Sequence, residues 1–131
     1  MTAIGLTFDT GALIALERRH ASIRKVYVTA IAREVPITVP TVVVAEWWRA
    51  GRREKERATL LRSLRVEALH EGAARLAGVA LGLVHGSTTV DAIVMASAAA
   101  RGDVVYTIDV ADLEDLRRGV PAFAHVGIMH V

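Results

Sequence analysis

Four acidic residues stand apart in this sequence, because each borders an apolar segment at the edge of a predicted strand or helix: Asp9, Glu46, Asp91 and Asp109. Proteins rarely place carboxylates against apolar segments unless a positive charge compensates them. No lysine or arginine is adjacent in sequence to Asp9, Asp91 or Asp109, so a bound divalent cation is the natural counter-charge. Carboxylate oxygens, with water in the remaining positions, suit Mg²⁺ or Mn²⁺ better than Zn²⁺.

The composition predicts one domain over residues 1–131, built around a large core. Hydrophobic residues make up 53% of the chain, and a chain of this length buries roughly two-thirds of its unfolded surface. The sequence has no cysteine, which excludes disulfides and thiolate metal sites. No apolar run approaches the ~20 residues of a membrane span, and Met1–Leu6 lacks the basic residues of a signal peptide. We therefore expect a cytoplasmic protein with no membrane association.

Strand and helix patterns alternate along the chain, and two of the strands end at acids. The β-prone run 4–8 leads into Asp9, and the apolar run 104–108, which suits a strand buried on both faces, leads into Asp109. Such alternation predicts an α/β fold with a parallel sheet, whose ligands bind at the carboxyl ends of the strands. Asp9 and Asp109 are therefore expected at one edge of the sheet. The other predicted strands are 37–39, a short one near 66, and 126–131, and the predicted helices are 12–19, 21–34, 41–49, 54–64, 71–85, 90–101 and 110–118.

Each acid also has a purely structural interpretation. Asp9 and Asp109 each precede a predicted helix and could serve as its N-cap. Asp91 follows Thr88 by three residues, the spacing of a capping box, and Glu46 could lie on the rim of an amphipathic helix. Carboxylates a few ångströms apart, however, repel by ~4 kcal/mol per pair at an effective dielectric of about 20. A cluster of all four therefore needs a bound cation or a proton.

Other catalytic motifs are missing from the sequence. The histidines fall in no metal-ligand spacing such as HxxxH, and no serine lies in the context of a nucleophile elbow. The glycines form neither GxGxxG nor GxxxxGK[ST], which argues against a nucleotide-phosphate loop.

The segment from Arg49 to Arg65 is rich in cations and contains two acids, Glu54 and Glu56. It is either a solvated helical face with local ion pairs or a patch that contacts phosphates. The second interpretation gains weight if the segment lies near the acids. Its cations are Arg49, Arg52, Arg53, Lys55, Arg57, Arg62 and Arg65.

Four blocks of the sequence together resemble PIN-domain ribonucleases, and in size the chain resembles the VapC-type toxins of bacterial toxin–antitoxin pairs. Each block contains one of the four acids, and the blocks follow one another in the family's order and intervals. The resemblance implies a single PIN-like three-layer α/β/α domain with a central, mainly parallel sheet of four to five strands. The blocks are residues 8–14, 42–47, 90–96 and 107–113.

The resemblance also implies an Mg²⁺-dependent endoribonuclease, with Mn²⁺ as a substitute metal. Asp9 and Asp91 would be metal ligands, and Glu46 and Asp109 would complete the catalytic pocket directly or through water. The supporting residues that the family pattern adds are Thr10, Thr107 and Asp112.

RNA as substrate, a cognate antitoxin and a homodimer are the partners that the resemblance implies. A bare acidic pocket repels RNA, so nearby cations must guide its backbone. Arg49, Arg52 and Arg53, predicted to continue the helix of Glu46, are the candidates. Trp47 and Trp48 could stack on a base, contact a partner or pack in the core.

Two other classes of protein fit parts of the pattern. A receiver-like signalling module also has acids at strand ends, but it requires a lysine after a late strand, and the two lysines here are Lys25 and Lys55. A catalytically silent PIN-fold domain that binds RNA or acts as a scaffold is the main alternative. Metal binding and cleavage of structured RNAs with and without EDTA separate it from the nuclease.

Overall fold

The structure, a computed structural model, describes residues 4–131. Residues 1–3 lie outside the described residues, and so does the part of the signal-peptide prediction for Met1–Leu6 that concerns them. The centre of the molecule is a parallel sheet of five strands in the order β3-β2-β1-β4-β5. The strands are β1 (Leu6–Phe8), β2 (Ile37–Pro40), β3 (Arg65–Glu67), β4 (Val104–Thr107) and β5 (Gly127–His130).

Helices connect the parallel strands and flank the sheet. Among the described residues, no helix combines the length and apolar character needed to cross a bilayer. A 3₁₀ turn, Pro121–Phe123, precedes the last strand. The helices are α1 (Thr10–Glu17), α2 (Ala21–Ala32), α3 (Thr41–Trp47), α4 (Glu54–Arg62), α5 (Glu71–Leu83), α6 (Thr89–Arg101) and α7 (Val110–Gly119).

The strand order reverses at β1, because β2 and β3 follow on one side of it and β4 and β5 on the other. β1 pairs with both central neighbours, with Phe8 opposite Tyr106 in β4. In open parallel sheets such a reversal leaves a crevice at the carboxyl ends of the two strands. The predicted parallel α/β fold is therefore confirmed with five strands, and the crevice lies where β1 and β4 end.

The segment after α3 differs from the prediction of one helix up to Arg49. α3 ends at Trp47, Trp48 adopts an extended conformation, and Gly51 has φ +116°, a value that L side chains rarely adopt. The chain therefore turns before α4 begins. The prediction that Arg49, Arg52 and Arg53 continue the helix of Glu46 is wrong.

A network of polar side chains fixes the C-terminal half of α6 to the sheet. The guanidinium of Arg101 donates hydrogen bonds to Glu67, Asp103 and Thr7, at 2.8 Å to Asp103 and 2.9 Å to Thr7. Ser97, one turn earlier in α6, donates to Glu67 at 2.9 Å. Because these partners belong to β1, β3 and the loop before β4, the network fixes the position of the helix whose first turn contains Asp91.

A second buried acid, Glu17, joins α1 to the segment after α3. Its side chain is 8% exposed and pairs with Arg57 at 2.6 Å and Arg53 at 3.1 Å. The Arg57 guanidinium also lies 5.8 Å from the ring centroid of the buried Trp47. The Trp47 Nε1 makes no hydrogen bond of regular geometry within the described residues, yet its proximity helps to lower the pKa of Glu17. Glu17 is thus the charge that holds α4, which has no buried residue, against α1.

Replacing Glu17 should destabilise the protein in a pH-dependent way. The pKa of Glu17 is lowered chiefly by its hydrogen bond with Arg57. The stabilisation is therefore present above the ordinary carboxyl pKa and is lost as the pH falls through the lowered value. Glu17→Gln should reduce the free energy of unfolding by about 2 kcal/mol at neutral pH, and this difference should shrink in acid. Urea denaturation from about pH 7 to about pH 3 measures it.

Glu71→Gln is the matched control for this experiment. Its carboxylate pairs with Arg75 at 2.7 Å on an exposed helical surface, so its removal should cost less than about 0.5 kcal/mol. Equal effects of the two substitutions, or a Glu17→Gln effect of the same size in acid, would contradict the assignment of Glu17 as a buried anchor.

Candidate functional site

All four acids singled out in the sequence line one cavity of about 370 Å³, which we call the acidic cavity. Asp9 follows β1, Glu46 lies in α3 after β2, Asp91 lies in the first turn of α6, and Asp109 follows β4. Residues separated by up to 100 positions in sequence thus meet at the β1/β4 crevice. The four acids therefore meet in one cavity, as a shared metal site requires. Their roles as metal ligands stay predictions.

Asp9 is the most enclosed of the four acids, with 7% of its surface exposed. Its Oδ1 accepts a hydrogen bond from the Ala12 N–H at 2.8 Å and so caps α1. Burial is the largest influence on its pKa and raises it, while the Thr107 hydroxyl and the Ala12 amide oppose the shift. The nearby charges of Asp109 and Glu46 raise the pKa further. The N-cap interpretation is therefore correct for Asp9, and capping leaves the carboxylate in the cavity.

Asp91, in the first turn of α6, and Asp109, between β4 and α7, also line the cavity. The Asp91 N–H donates to the Thr88 Oγ1 at 3.1 Å, so Thr88 caps α6, as its spacing predicts. Burial raises the pKa of Asp91, and the charges of Asp9, Asp109 and Glu46 add to this rise. Asp109 is exposed and its side chain does not cap α7. Its N–H instead donates to the Thr107 Oγ1 at 2.8 Å.

Glu46 is the exposed acid on the α3 side of the acidic cavity. The Thr10 hydroxyl donates a hydrogen bond of 2.6 Å to its Oε1. Thr10 is the first residue of α1 and follows Asp9 directly. This bond therefore sets the position of Glu46, which lies in α3, relative to Asp9, which caps α1.

The remaining wall of the acidic cavity is apolar, which the sequence reasoning did not identify. Ile14, Val90 and Ile108 line it. Ile108 was predicted to end a strand buried on both faces, but it is 55% exposed. A Cβ on Gly11 would lie 2.5 Å from Ile108 Cγ1, so only glycine lets this side chain lie over the start of α1. The signal that could have revealed Ile108 is its position between Thr107 and Asp109.

The donor set of the acidic cavity fits a hydrated Mg²⁺ or Mn²⁺. Among the described residues, no three His, Asp or Glu side chains are arranged to enclose one ion directly. Mg²⁺ commonly keeps several waters and contacts one or two carboxylates, so acids spread around a cavity suit it. No Lys or Arg is among the residues that line this cavity within the described chain. Asp9 and Asp91, whose pKa values are raised, would be the first to gain from a cation.

Of the other predicted site residues, Thr10 lines this cavity, whereas Thr107, Asp112, Arg49, Arg52 and Arg53 do not. Asp112 is exposed on the first turn of α7, where a hydrogen bond shared with Asp109 and the charge of Asp109 raise its pKa. Arg53 is paired with Glu17 and Glu56, so its charge is already compensated. Arg49 donates to the Trp48 carbonyl at 2.6 Å.

Comparison with known proteins gives the fold of this chain. No family model and no curated protein matches the sequence. Among solved structures, it is similar to a chain of DNA-bound VapBC from Salmonella typhimurium, with a TM-score of 0.72 and 16% identity over 98% of both chains. It is similar to a chain of VapBC2 from Rickettsia felis bound to a promoter DNA fragment, with a TM-score of 0.74 and 12% identity over 98% of this chain and 99% of that one.

A chain of FitAcB from Neisseria gonorrhoeae is also similar, with a TM-score of 0.65 and 15% identity over 95% of this chain and 96% of that one. At such identities the likeness concerns the fold alone. The PIN-like α/β fold that the four sequence blocks predict is confirmed by these neighbours.

The crowding of acids has a measurable consequence for the metal-free protein. Because burial and neighbouring acids raise the pKa of Asp91, its ionisation opposes folding, and this cost appears as the pH rises from the ordinary carboxyl pKa through the raised value. In EDTA, the stability of the wild type relative to Asp91→Asn should therefore fall as the pH increases. Urea denaturation of both proteins across this range measures the difference.

Asp115→Asn provides the control for this prediction, because Asp115 pairs with Arg118 on the exposed surface of α7. Its effect should stay within about 0.5 kcal/mol at every pH. A relative stability of Asp91→Asn that does not change with pH would count against a repulsive cluster.

Proposed function

We propose that this chain is a metal-dependent ribonuclease and the toxin of a toxin–antitoxin pair. The observation that carries the proposal is the acidic cavity, in which four carboxylates from separate elements meet without a lining Lys or Arg among the described residues. The similarity of the whole fold to chains of VapBC and FitAcB complexes supports the same assignment. RNA as the substrate follows from the resemblance of the four sequence blocks to PIN-domain ribonucleases.

Asp9 and Asp91 would hold the cation, and Glu46 and Asp109 would hold its water shell or contact it directly. When bound, Mg²⁺ lowers the pKa of a water molecule and offsets the negative charge that develops on a phosphodiester during attack. These residues supply the negative charge that retains the cation. No histidine base is required for this chemistry.

The chain's own contacts orient the carboxylates before any ligand arrives. The Ala12 N–H fixes the Asp9 Oδ1, and the Thr10 hydroxyl fixes the Glu46 Oε1. Asp109 is exposed and its side chain is not used as a helix cap, so it is the carboxylate best placed to accept a proton from the attacking water. Preorganisation of this kind lowers the reorganisation needed during the reaction.

A cognate antitoxin and a second copy of the chain are the proposed protein partners. The similar solved structures are toxin–antitoxin complexes, one of them described as such from Klebsiella pneumoniae. This supports an antitoxin partner for the present chain. Homodimerisation is proposed from the resemblance to VapC-type toxins.

Substitution of the two enclosed acids tests the catalytic assignment. Asp9→Asn and Asp91→Asn should each lower Mg²⁺-dependent RNA cleavage by about 100-fold or more, because each removes a charge that retains the cation. Asn is as good an N-cap as Asp, so Asp9→Asn should keep α1 and the fold intact. Circular dichroism checks the fold, and Asp115→Asn should cleave like the wild type. Cleavage by either site variant at the wild-type rate would refute the assignment.

Metal binding separates the nuclease from the catalytically silent alternative. Titration calorimetry with Mn²⁺ should detect binding to the wild type and a loss of binding in Asp91→Asn. At a metal concentration of about 100 times Kd, the wild type should gain about 2.7 kcal/mol of stability. Binding of RNA that is unchanged by EDTA, together with no Mn²⁺ binding and no cleavage, would favour the silent domain.

A further inference from the structure

A second cavity, lined by residues that follow α3 and by residues of α4, combines an aromatic ring with two cations. Its volume is about 540 Å³, and we call it the Trp48 cavity. Trp48 is half-buried, whereas the preceding Trp47 is 3% exposed and belongs to the core. The Trp48 cavity is lined by Trp48, Gly51, Arg52, Glu54, Lys55 and Ala58.

The five cations between residues 49 and 57 fall into two groups. Arg53 and Arg57 are held by Glu17, and the Arg49 guanidinium donates to backbone carbonyls near the end of α3. By contrast, the side chains of Arg52 and Lys55 have no hydrogen-bond or ion-pair partner among the described residues. These two cations are therefore available to an anionic ligand.

The single acid of the Trp48 cavity does not cancel both cations. The Glu54 carboxylate accepts a hydrogen bond from the Gly51 N–H at 3.4 Å. It contributes one negative charge to the lining, whereas Arg52 and Lys55 contribute two positive charges. Gly51, with φ +116°, allows the turn that returns the chain so that Arg52 and Lys55 line the same space as Trp48. The cavity therefore has a net positive lining.

The Trp48 cavity is next to the acidic cavity along the chain. Glu46 lines the acidic cavity and Trp48 lines the other, and the Cα atoms of residues two apart are at most about 7 Å from each other. One residue that lines the acidic cavity and one that lines the Trp48 cavity are thus two positions apart at the end of α3. Ile108 and Val90 line the acidic cavity and carry no charge, so Arg52 and Lys55 of the Trp48 cavity are the cations considered for phosphate binding.

We propose that the Trp48 cavity is a binding subsite for one unpaired nucleotide beside the scissile phosphate. The base stacks on Trp48, and Arg52 and Lys55 contact its phosphates. Stacking on an aromatic ring requires a base that is free of its own stack, so the subsite takes single-stranded RNA and rejects a duplex. The subsite deepens the proposed ribonuclease function and rests on RNA being its substrate.

Binding of an oligouridylate of about 12 nucleotides to the full-length chain in EDTA tests the subsite without cleavage. Trp48→Ala should weaken binding by about 10-fold or more, whereas Trp48→Phe keeps a ring and most of the affinity. Binding should quench the fluorescence of the wild type. Trp48→Phe should lose most of this quenching, since the remaining Trp47 is buried.

The two lysines of the chain provide a matched pair for the charge contribution. Lys55 lines the Trp48 cavity, whereas Lys25 lines a different cavity beside Leu6 and Val35, near the start of β1 and of β2. Lys55→Gln and Arg52→Gln should each reduce the slope of log affinity against log salt by about 0.7. Lys25→Gln, which removes the same charge, should leave the slope unchanged.

The outcomes distinguish this subsite from the proposed reaction. Wild-type affinity in Trp48→Ala, equal effects of the two lysine substitutions, or equal binding of a blunt RNA duplex would overturn the subsite, and Mg²⁺-dependent cleavage would still stand by itself. The predicted binding pattern without any cleavage in Mg²⁺ would support the subsite and reject the nuclease. Equal melting temperatures of all variants exclude unfolding as the cause.

Discussion

Electrostatic repulsion at the carboxyl edge of β1 and β4 is the constraint around which this structure is arranged. Four carboxylates line one cavity, and two of them, Asp9 and Asp91, are desolvated enough that their pKa values rise. Such an arrangement costs folding free energy unless a cation or a proton enters. The rest of the molecule supplies the rigidity that keeps the acids together. A core of parallel strands holds Asp9, and the Arg101 network anchors the helix that presents Asp91.

The sequence predicts most of this site because the local signals are strong. Runs of apolar residues end at Asp9 and Asp109, and parallel strands bring their carboxyl ends to one edge. The Thr88 cap and the C-terminal Gly102 of α6, with φ +74°, are likewise readable from residue type. These features depend on neighbours within a few residues, which is why they transfer from sequence to structure.

Long-range pairing is what the sequence could not reveal. Glu17 also follows an apolar segment, yet it is a structural anchor because Arg57, 40 residues away in sequence, reaches it. Arg18 follows Glu17 directly, which sets Glu17 apart from Asp9, but the sequence does not show that the distant Arg57 is the arginine that pairs with it. The turn at Gly51 divides the basic segment in the same manner: Arg53 faces Glu17 and Arg52 faces Trp48. Adjacent arginines thus have different partners, and a charge count alone treats them as equivalent.

The way α4 is attached has a consequence for the dynamics of this region. No residue of the helix is fully buried. Leu60 and Leu61 pack half-buried against the core, and the Glu17 ion pairs and a hydrogen bond of 2.7 Å between Tyr27 and Ser63, the residue after α4, complete the attachment. Elements with few buried apolar contacts open at a lower free energy than those whose side chains fill a core. Amide protons of α4 should therefore exchange with solvent earlier than those of α6, whose centre is buried. Local opening of α4 would separate Lys55 from Trp48 while the sheet stays folded.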